Sequence, residues 1–193
     1  MAVVVAINTK PMKPYLILDN QLTPERCQEL IDLSENKGYD EADISFQTGA
    51  KMNKEYRNNE RCLYTSEDLR VELEALLAPH VFKKPQEFLK VSGRFRFYKY
   101  NPSQKFKKHR DESILEEGGI SLCTVLFYLN TPEEGGETAI YDPEFEKPIL
   151  VKAEQGRVLI FDHSIAHTGE ELKKGHKYIL RTDFIYKINT PDV

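Results

Sequence analysis

From Val91 onward the chain breaks into short runs rich in aromatic and β-branched residues, and this texture constrains the fold more than any other feature. The runs are Arg94 to Tyr100, Ile120 to Asn130, Glu137 to Tyr141, Arg157 to Phe161 and Lys177 to Tyr186. Asn-Pro, Gly-Gly, Asp-Pro and Lys-Gly turn signals separate them. Short strands joined by tight turns bury their apolar sides by closing into a sandwich or jelly roll. Upstream the signals are helical. Thr23-Pro24 opens a segment with Cys27, Leu30, Ile31 and Ser34 at helical spacing, and Gly38 closes it. A second helix starts at Ser66, with Glu67 and Asp68 in its first turn, Leu69, Leu73, Leu76 and Leu77 on one face, and Pro79 as the stop. The expected class is α+β, mainly β, with the N-terminal helices buttressing one sheet.

With 193 residues, 40% of them apolar and ten each of Tyr and Phe, the chain can bury one sizeable core. One domain over 1–193 is expected, with helical support over about 15–90 and a β-rich core over about 91–187. A formal net charge of −4 supplies no basic field for a phosphate backbone, and Lys105, Lys107, Lys108 and Arg110 form too short a run to change that. Nucleic acid is therefore not an expected partner. Cys27, Cys62 and Cys123 are odd in number and lack a Cys-x-x-Cys pair, which argues against a disulfide framework or a thiolate zinc site. The expectation is a soluble cytoplasmic protein with no membrane partner. Met1 to Ile7 is apolar, but lacks a basic leader and is shorter than a signal or spanning segment.

The chemistry concentrates in the β-rich half. Lys-Lys-His-Arg-Asp at 107–111 places His109 and Asp111 two apart, so on an extended segment both side chains project to one side. One imidazole and one carboxylate facing together, joined by a second imidazole from a distant strand, make the facial triad that leaves positions open on a non-haem iron. The segment Arg157 to His167 offers two such imidazoles, His163 and His167. His-Arg-Asp also occurs in the protein-kinase catalytic loop, but that loop needs an asparagine where this chain has Glu116, and the glycine-rich loop and Asp-Phe-Gly are absent.

His109-x-Asp111, Gly135-Gly136-Glu137-Thr138, His167 and Lys177-Tyr-Ile-Leu-Arg181-Thr-Asp follow one another in order, with Arg96-Phe-Tyr-Lys-Tyr100 before the first motif and Tyr128-Leu-Asn before the second. In this ordered set the chain resembles the prolyl 4-hydroxylase-like branch of the 2-oxoglutarate- and iron(II)-dependent dioxygenases, over about Tyr15 to Tyr186. The resemblance implies a double-stranded β-helix (jelly roll) core, iron(II) held by His109, Asp111 and His167, and His163 outside the ligand set. It also implies 2-oxoglutarate and dioxygen as cosubstrates, ascorbate as an accessory reductant, and hydroxylation of an unactivated C–H bond. Peptidyl proline leads as substrate, with a free amino acid or other small molecule as the alternative. A nucleic-acid demethylase and a non-catalytic jelly-roll binding module are the readings from other classes.

The resemblance places a cation about ten residues after the distal histidine to meet the far carboxylate of 2-oxoglutarate, because an unpaired buried carboxylate is costly. That position is Lys177, with Tyr128 and Tyr100 beside the cosubstrate. Arg181 shares a strand face with residues 177, 179 and 183 and is the second candidate; it could instead pair with Asp183. Arg94, Arg96, Tyr98 and Tyr100 alternate onto one face, which makes Arg96 a candidate grip on substrate or the partner of a structural carboxylate. Arg57 and Asn59, in the polar stretch Arg57 to Arg61, are further candidate substrate contacts, as part of a loop over the mouth of the site.

Overall fold

The computed structural model describes residues 14–41, 44–46, 49–51 and 56–188. In chain order the elements are β1 (Tyr15–Leu18), α1 (Pro24–Lys37), β2 (Asp40–Glu41), β3 (Ile44–Phe46), β4 (Gly49–Lys51), β5 (Glu60–Thr65), α2 (Glu67–Leu77), β6 (Phe88–Val91), β7 (Arg94–Tyr100), β8 (Phe106–His109) and β9 (Leu115–Glu116). They continue with β10 (Gly119–Tyr128), β11 (Glu134–Gly135), β12 (Thr138–Tyr141), β13 (Ile149–Val151), β14 (Val158–Asp162), β15 (Ala166–Gly169), β16 (Leu172–Lys174) and β17 (Lys177–Lys187). No helix among the described residues is long and apolar enough to cross a membrane.

Both predicted helices form where their end signals place them. Thr23 caps α1 by accepting from the Arg26 backbone N–H at 3.2 Å, and Gly38 closes it at φ +86°. Ser66 caps α2 by accepting from the Leu69 N–H. Cys27, Leu30, Ile31 and Ser34 of α1 and Leu69, Leu73 and Leu77 of α2 are the buried faces.

The strands form two principal sheets. The larger has the order β1-β14-β10-β17-β7-β5-β2, with β6 on β17 and β9 on β10; the smaller has the order β13-β12-β15-β8. Alternation along the central strands of the larger sheet gives it two different faces. Phe95 and Phe97 of β7, Val125 and Phe127 of β10, and Leu180 and Phe184 of β17 pack with the buried residues of the two helices. Tyr98 and Tyr100 of β7, Leu126 and Tyr128 of β10, and Ile179 of β17 face the other way and join Ile140 of β12, Val151 of β13 and Ile165. The larger sheet is thus packed by helices on one side and by the smaller sheet on the other, which is the expected jelly roll with helical buttress. The N-terminal part contributes more than helices, since β1 pairs with β14 and β5 with β7.

Candidate functional site

The site lies between the two sheets, where the side chains facing away from the helices change from apolar to polar. His109 ends β8 and His167 sits in β15; the two are antiparallel partners across that strand pair. Cross-strand partners bring side chains into contact, and the two imidazole centroids lie 4.1 Å apart. Asp111, two residues past His109, places Oδ1 4.0 Å from His109 Nε2 and Oδ2 3.7 Å from His167 Nε2. Among the described residues, one ligand atom from each of the three lies within 4.8 Å of the others. His163, the competing imidazole of the same segment, is not in the cluster. It is buried behind it, with Nε2 3.4 Å from Asp183 Oδ1.

Each imidazole of the cluster is aimed by its own backbone. Nδ1 of His109 lies 2.8 Å from the Lys107 carbonyl and Nδ1 of His167 lies 3.2 Å from the Ile165 carbonyl. An Nδ1–H directed at a carbonyl leaves the Nε2 lone pair free for a metal, the arrangement that orients ligating histidines. Phe106 stacks on His109 at 3.6 Å between centroids, and Phe161 flanks His167 at 4.6 Å. Burial, followed by the neighbouring imidazole, lowers His109 to about 3, and burial also lowers His167. Both are therefore neutral, the form that binds a metal. Burial by itself would raise the Asp111 carboxyl, but opposing effects led by the Arg181 guanidinium outweigh it and hold the group below its usual range. Thr124 Oγ1 donates to Asp111 Oδ2 at 2.6 Å, and Arg181 Nη1 donates to Oδ1.

Lys177 lies on the wall of the cavity that His109, Asp111 and His167 also line. It is fully buried, donates from Nζ to the Gly136 carbonyl at 2.8 Å, and sits 4.0 Å from the centroid of the Tyr100 ring. No ion pair to it forms among the described residues. Burial pushes it down to about 7 against a smaller opposing effect of Glu137 and Glu170. The Gly-Gly-Glu-Thr motif acquires a reason here. Gly136 has φ +77°, and a Cβ on it would stand 3.2 Å from Lys177 Cδ.

Arg181 also reaches the cavity wall, but two carboxylates already occupy it: Asp111 on one side and Asp183, whose Oδ1 is 3.0 Å from Nη2, on the other. The other oxygen of Asp183 accepts from Arg96 Nη1 at 2.8 Å. Arg96 is thus paired with a carboxylate, the second of the two roles expected for it, and is not among the residues that line the cavity. Of the two aromatics expected beside the cosubstrate, Tyr100 lines the cavity. Tyr128 does not; its hydroxyl stands one layer back and donates to Thr138 Oγ1 at 2.7 Å, and Thr138 is the residue on the wall. Arg57 and Asn59 are buried rather than part of a solvated loop. Arg57 Nε donates to Asn59 Oδ1 at 2.7 Å, and its guanidinium lies 4.7 Å from the Tyr98 ring and 4.6 Å from the Phe106 ring.

Sequence reasoning missed Thr124, Thr138 and Phe106. Thr138 ends a motif already singled out, and Thr124 falls in register with Leu126 and Tyr128, so alternation along β10 carries the signal for it. Phe106 carries none, because one aromatic in a lysine-rich stretch does not show that it will stack on the histidine three residues later.

Residues 95–184 match the family model described as the 2OG-Fe(II) oxygenase superfamily. The chain is 27% identical over 128 residues to a probable prolyl 4-hydroxylase 8 of Arabidopsis thaliana, an alignment covering 63% of this chain and 43% of the relative. It therefore spans about two fifths of that plant protein. Among solved structures, the fold is similar to a viral collagen prolyl hydroxylase from Paramecium bursaria Chlorella virus-1, with a TM-score of 0.63 and 22% identity over 91% of this chain and 97% of that one. It is also similar to a prolyl hydroxylase from Trichoplax adhaerens, determined with a hypoxia inducible factor peptide, with a TM-score of 0.70 and 16% identity over 89% and 83%.

Proposed function

We propose that the chain, whose residues 95–184 match the 2OG-Fe(II) oxygenase superfamily model, is an iron(II)- and 2-oxoglutarate-dependent dioxygenase that hydroxylates a prolyl residue of a peptide. The observation that carries this reading is that a partly buried His-Asp-His cluster and a buried lysine without an ionic partner among the described residues line one cavity. In the proposal His109, Asp111 and His167 would hold the iron as a two-histidine, one-carboxylate ligand set. When bound, the iron supplies the oxygen activation that couples decarboxylation of 2-oxoglutarate, to succinate and carbon dioxide, with C–H hydroxylation.

The protein's own part is positioning. Lys177 takes the far carboxylate of 2-oxoglutarate, which completes its charge in a setting where an isolated ammonium is costly. Thr138 adds a hydroxyl next to that carboxylate, set in place by Tyr128, and Tyr100 forms the wall. Lys177 is preferred over Arg181 as the anchor because the guanidinium is already shared between Asp111 and Asp183. For the substrate, the supporting feature is Arg57 Nη2, a buried donor without a hydrogen-bond partner among the described residues, beside Tyr98 and Phe106 of the cavity wall. A peptide carbonyl would satisfy it, with Asn59 fixing the guanidinium. The names of the relatives support proline over a free amino acid, and the net charge of −4 supports a peptide over nucleic acid.

The test is anaerobic addition of iron(II) and 2-oxoglutarate to metal-free protein, followed by the weak visible band of the chelate. The band is expected in the wild type, absent in His167→Ala, and reached only at higher 2-oxoglutarate in Lys177→Ala. A folded wild-type protein without the band refutes the cofactor assignment. Candidate proline peptides that gain no oxygen beside active succinate production refute the substrate.

A further inference from the structure

A second recess opens beside the triad and is not used by any role assigned above. Lys108, Arg110, Tyr141, Pro143 and Ser164 line it, and His109 is shared between it and the buried cavity. Its chemistry is opposite to that of the molecule as a whole. The chain carries a net −4, yet both ionisable chain positions that line the recess besides His109 and Tyr141 are cations, and no carboxylate is among the lining residues.

The two cations are placed rather than loose. Lys108 Nζ lies 3.7 Å from the centroid of the Tyr141 ring, a cation–π contact that holds the ammonium without neutralising it. Arg110 donates from Nε to the Ser164 carbonyl at 2.8 Å, which fixes the guanidinium plane without neutralising its charge. Neither forms an ion pair among the described residues. Lys105, three residues before Lys108 on the same stretch, shows the contrast: Glu171 lies 3.1 Å from its Nζ. Asp142, next to Tyr141, is buried and accepts from the Glu144 backbone N–H at 3.0 Å.

From this we infer that the recess receives an aspartate or glutamate side chain of the substrate peptide, so that the protein selects acidic sequence around the residue it oxidises. The inference rests on the peptide reading above. A fixed guanidinium and a nearby ammonium match a carboxylate in charge and in hydrogen-bond geometry. The shared His109 wall sets the distance: an extended peptide advances ~3.4 Å per residue, which places the acidic residue within about three residues of the reacting one.

The experiment is anaerobic fluorescence anisotropy with protein carrying manganese(II) and 2-oxoglutarate. The probes are fluorescein-labelled proline peptides that differ only in having acidic, alanine or lysine residues around the proline. The acidic peptide is expected to bind about tenfold more tightly than the alanine peptide, what two partly exposed ion pairs together can supply, with the advantage shrinking as salt is raised. The Lys108→Ala/Arg110→Ala double variant is expected to lose that advantage while keeping the iron and 2-oxoglutarate band. Lys108→Glu/Arg110→Glu is expected to prefer the lysine peptide. Equal binding of acidic and alanine peptides, survival of the preference in the alanine double variant, or no binding of any peptide overturns the inference. The visible band separates the two readings. Band without acid preference removes the recess assignment alone, and acid preference without the band removes the cofactor assignment alone.

Discussion

Arg181 donates from Nη1 to Oδ1 of Asp111, seventy residues earlier in the chain, and the same guanidinium is held from behind by Asp183. With Thr124 on the other oxygen, Asp111 is fixed before any metal arrives. Replacing Arg181 by Met keeps the bulk and removes the charge, leaving two buried carboxylates without their shared cation. Breaking a buried pair in this way costs roughly 3–5 kcal/mol of folding stability, and loss of a residue that orients a ligand lowers metal affinity by about 10- to 100-fold. Urea unfolding of metal-free protein and a chelator competition with zinc measure the two effects. Tighter metal binding in the variant would mean that Arg181 competes with the metal for Asp111 instead of aiming it.

Lys177 gives 2-oxoglutarate binding a pH dependence with a definite sign. Burial lowers it from 10.5 to about 7 in the metal-free protein. Between those values the unfolded chain holds a proton that the native protein lacks, so this group makes stability rise with pH across that window. The cosubstrate requires the charged form and must draw a proton to Lys177 as pH rises above about 7. Affinity for 2-oxoglutarate is expected to fall there, by at most about tenfold per pH unit. Titrating the visible band at successive pH values checks this, and Lys177→Arg should bind with a flat profile because a guanidinium stays charged.

The two histidines of the cluster make stability depend on pH with the same sign as Lys177, in a more acidic window. His109 is held at about 3 and His167 is lowered as well, both from 6.5. A histidine kept neutral by the fold contributes stability fully above its unfolded value and loses it as pH falls through the folded one. Metal-free protein should therefore lose stability as pH drops below 6.5. His109→Gln should show a shallower loss in denaturation midpoints between pH 6.5 and 4.5. An unchanged slope would show that His109 is readily protonated in the native protein.

The helical buttress is expected to matter for stability and not for chemistry. Leu73 is fully buried against the face of the larger sheet that points away from the site. Leu73→Ala should cost roughly 2–5 kcal/mol, read as a lower unfolding midpoint, while the 2-oxoglutarate concentration needed for half the visible band stays unchanged. A shifted titration in a protein still folded would show coupling between buttress and site.

Both helices were legible residue by residue, because Thr23, Gly38 and Ser66 act within one turn of their own chain positions. The long strands were legible for a similar reason: alternation separates Phe95 and Phe97 from Tyr98 and Tyr100 within seven residues. The short strands β8, β15 and β16 were not, since three or four residues with charged or polar side chains carry no period to read. Those short strands include the two that pair His109 with His167.

The sequence by itself determined the helical and β-rich halves and the pairing of His109 with Asp111, which are local patterns, while the choice of His167 and of the lysine ten residues after it came with the family resemblance. Only the tertiary structure decided how the buried charges divide among themselves. Arg181, Arg96 and Lys177 are equivalent in a strand pattern, each a cation on an inward face. The distances to Asp111 and Asp183 satisfy the two arginines and leave Lys177 as the buried cation without an ion pair among the described residues, set against a carbonyl and a ring. A buried charge is stabilised by whichever opposite charge lies within a few ångströms, and strand pairing over long sequence separation sets that distance.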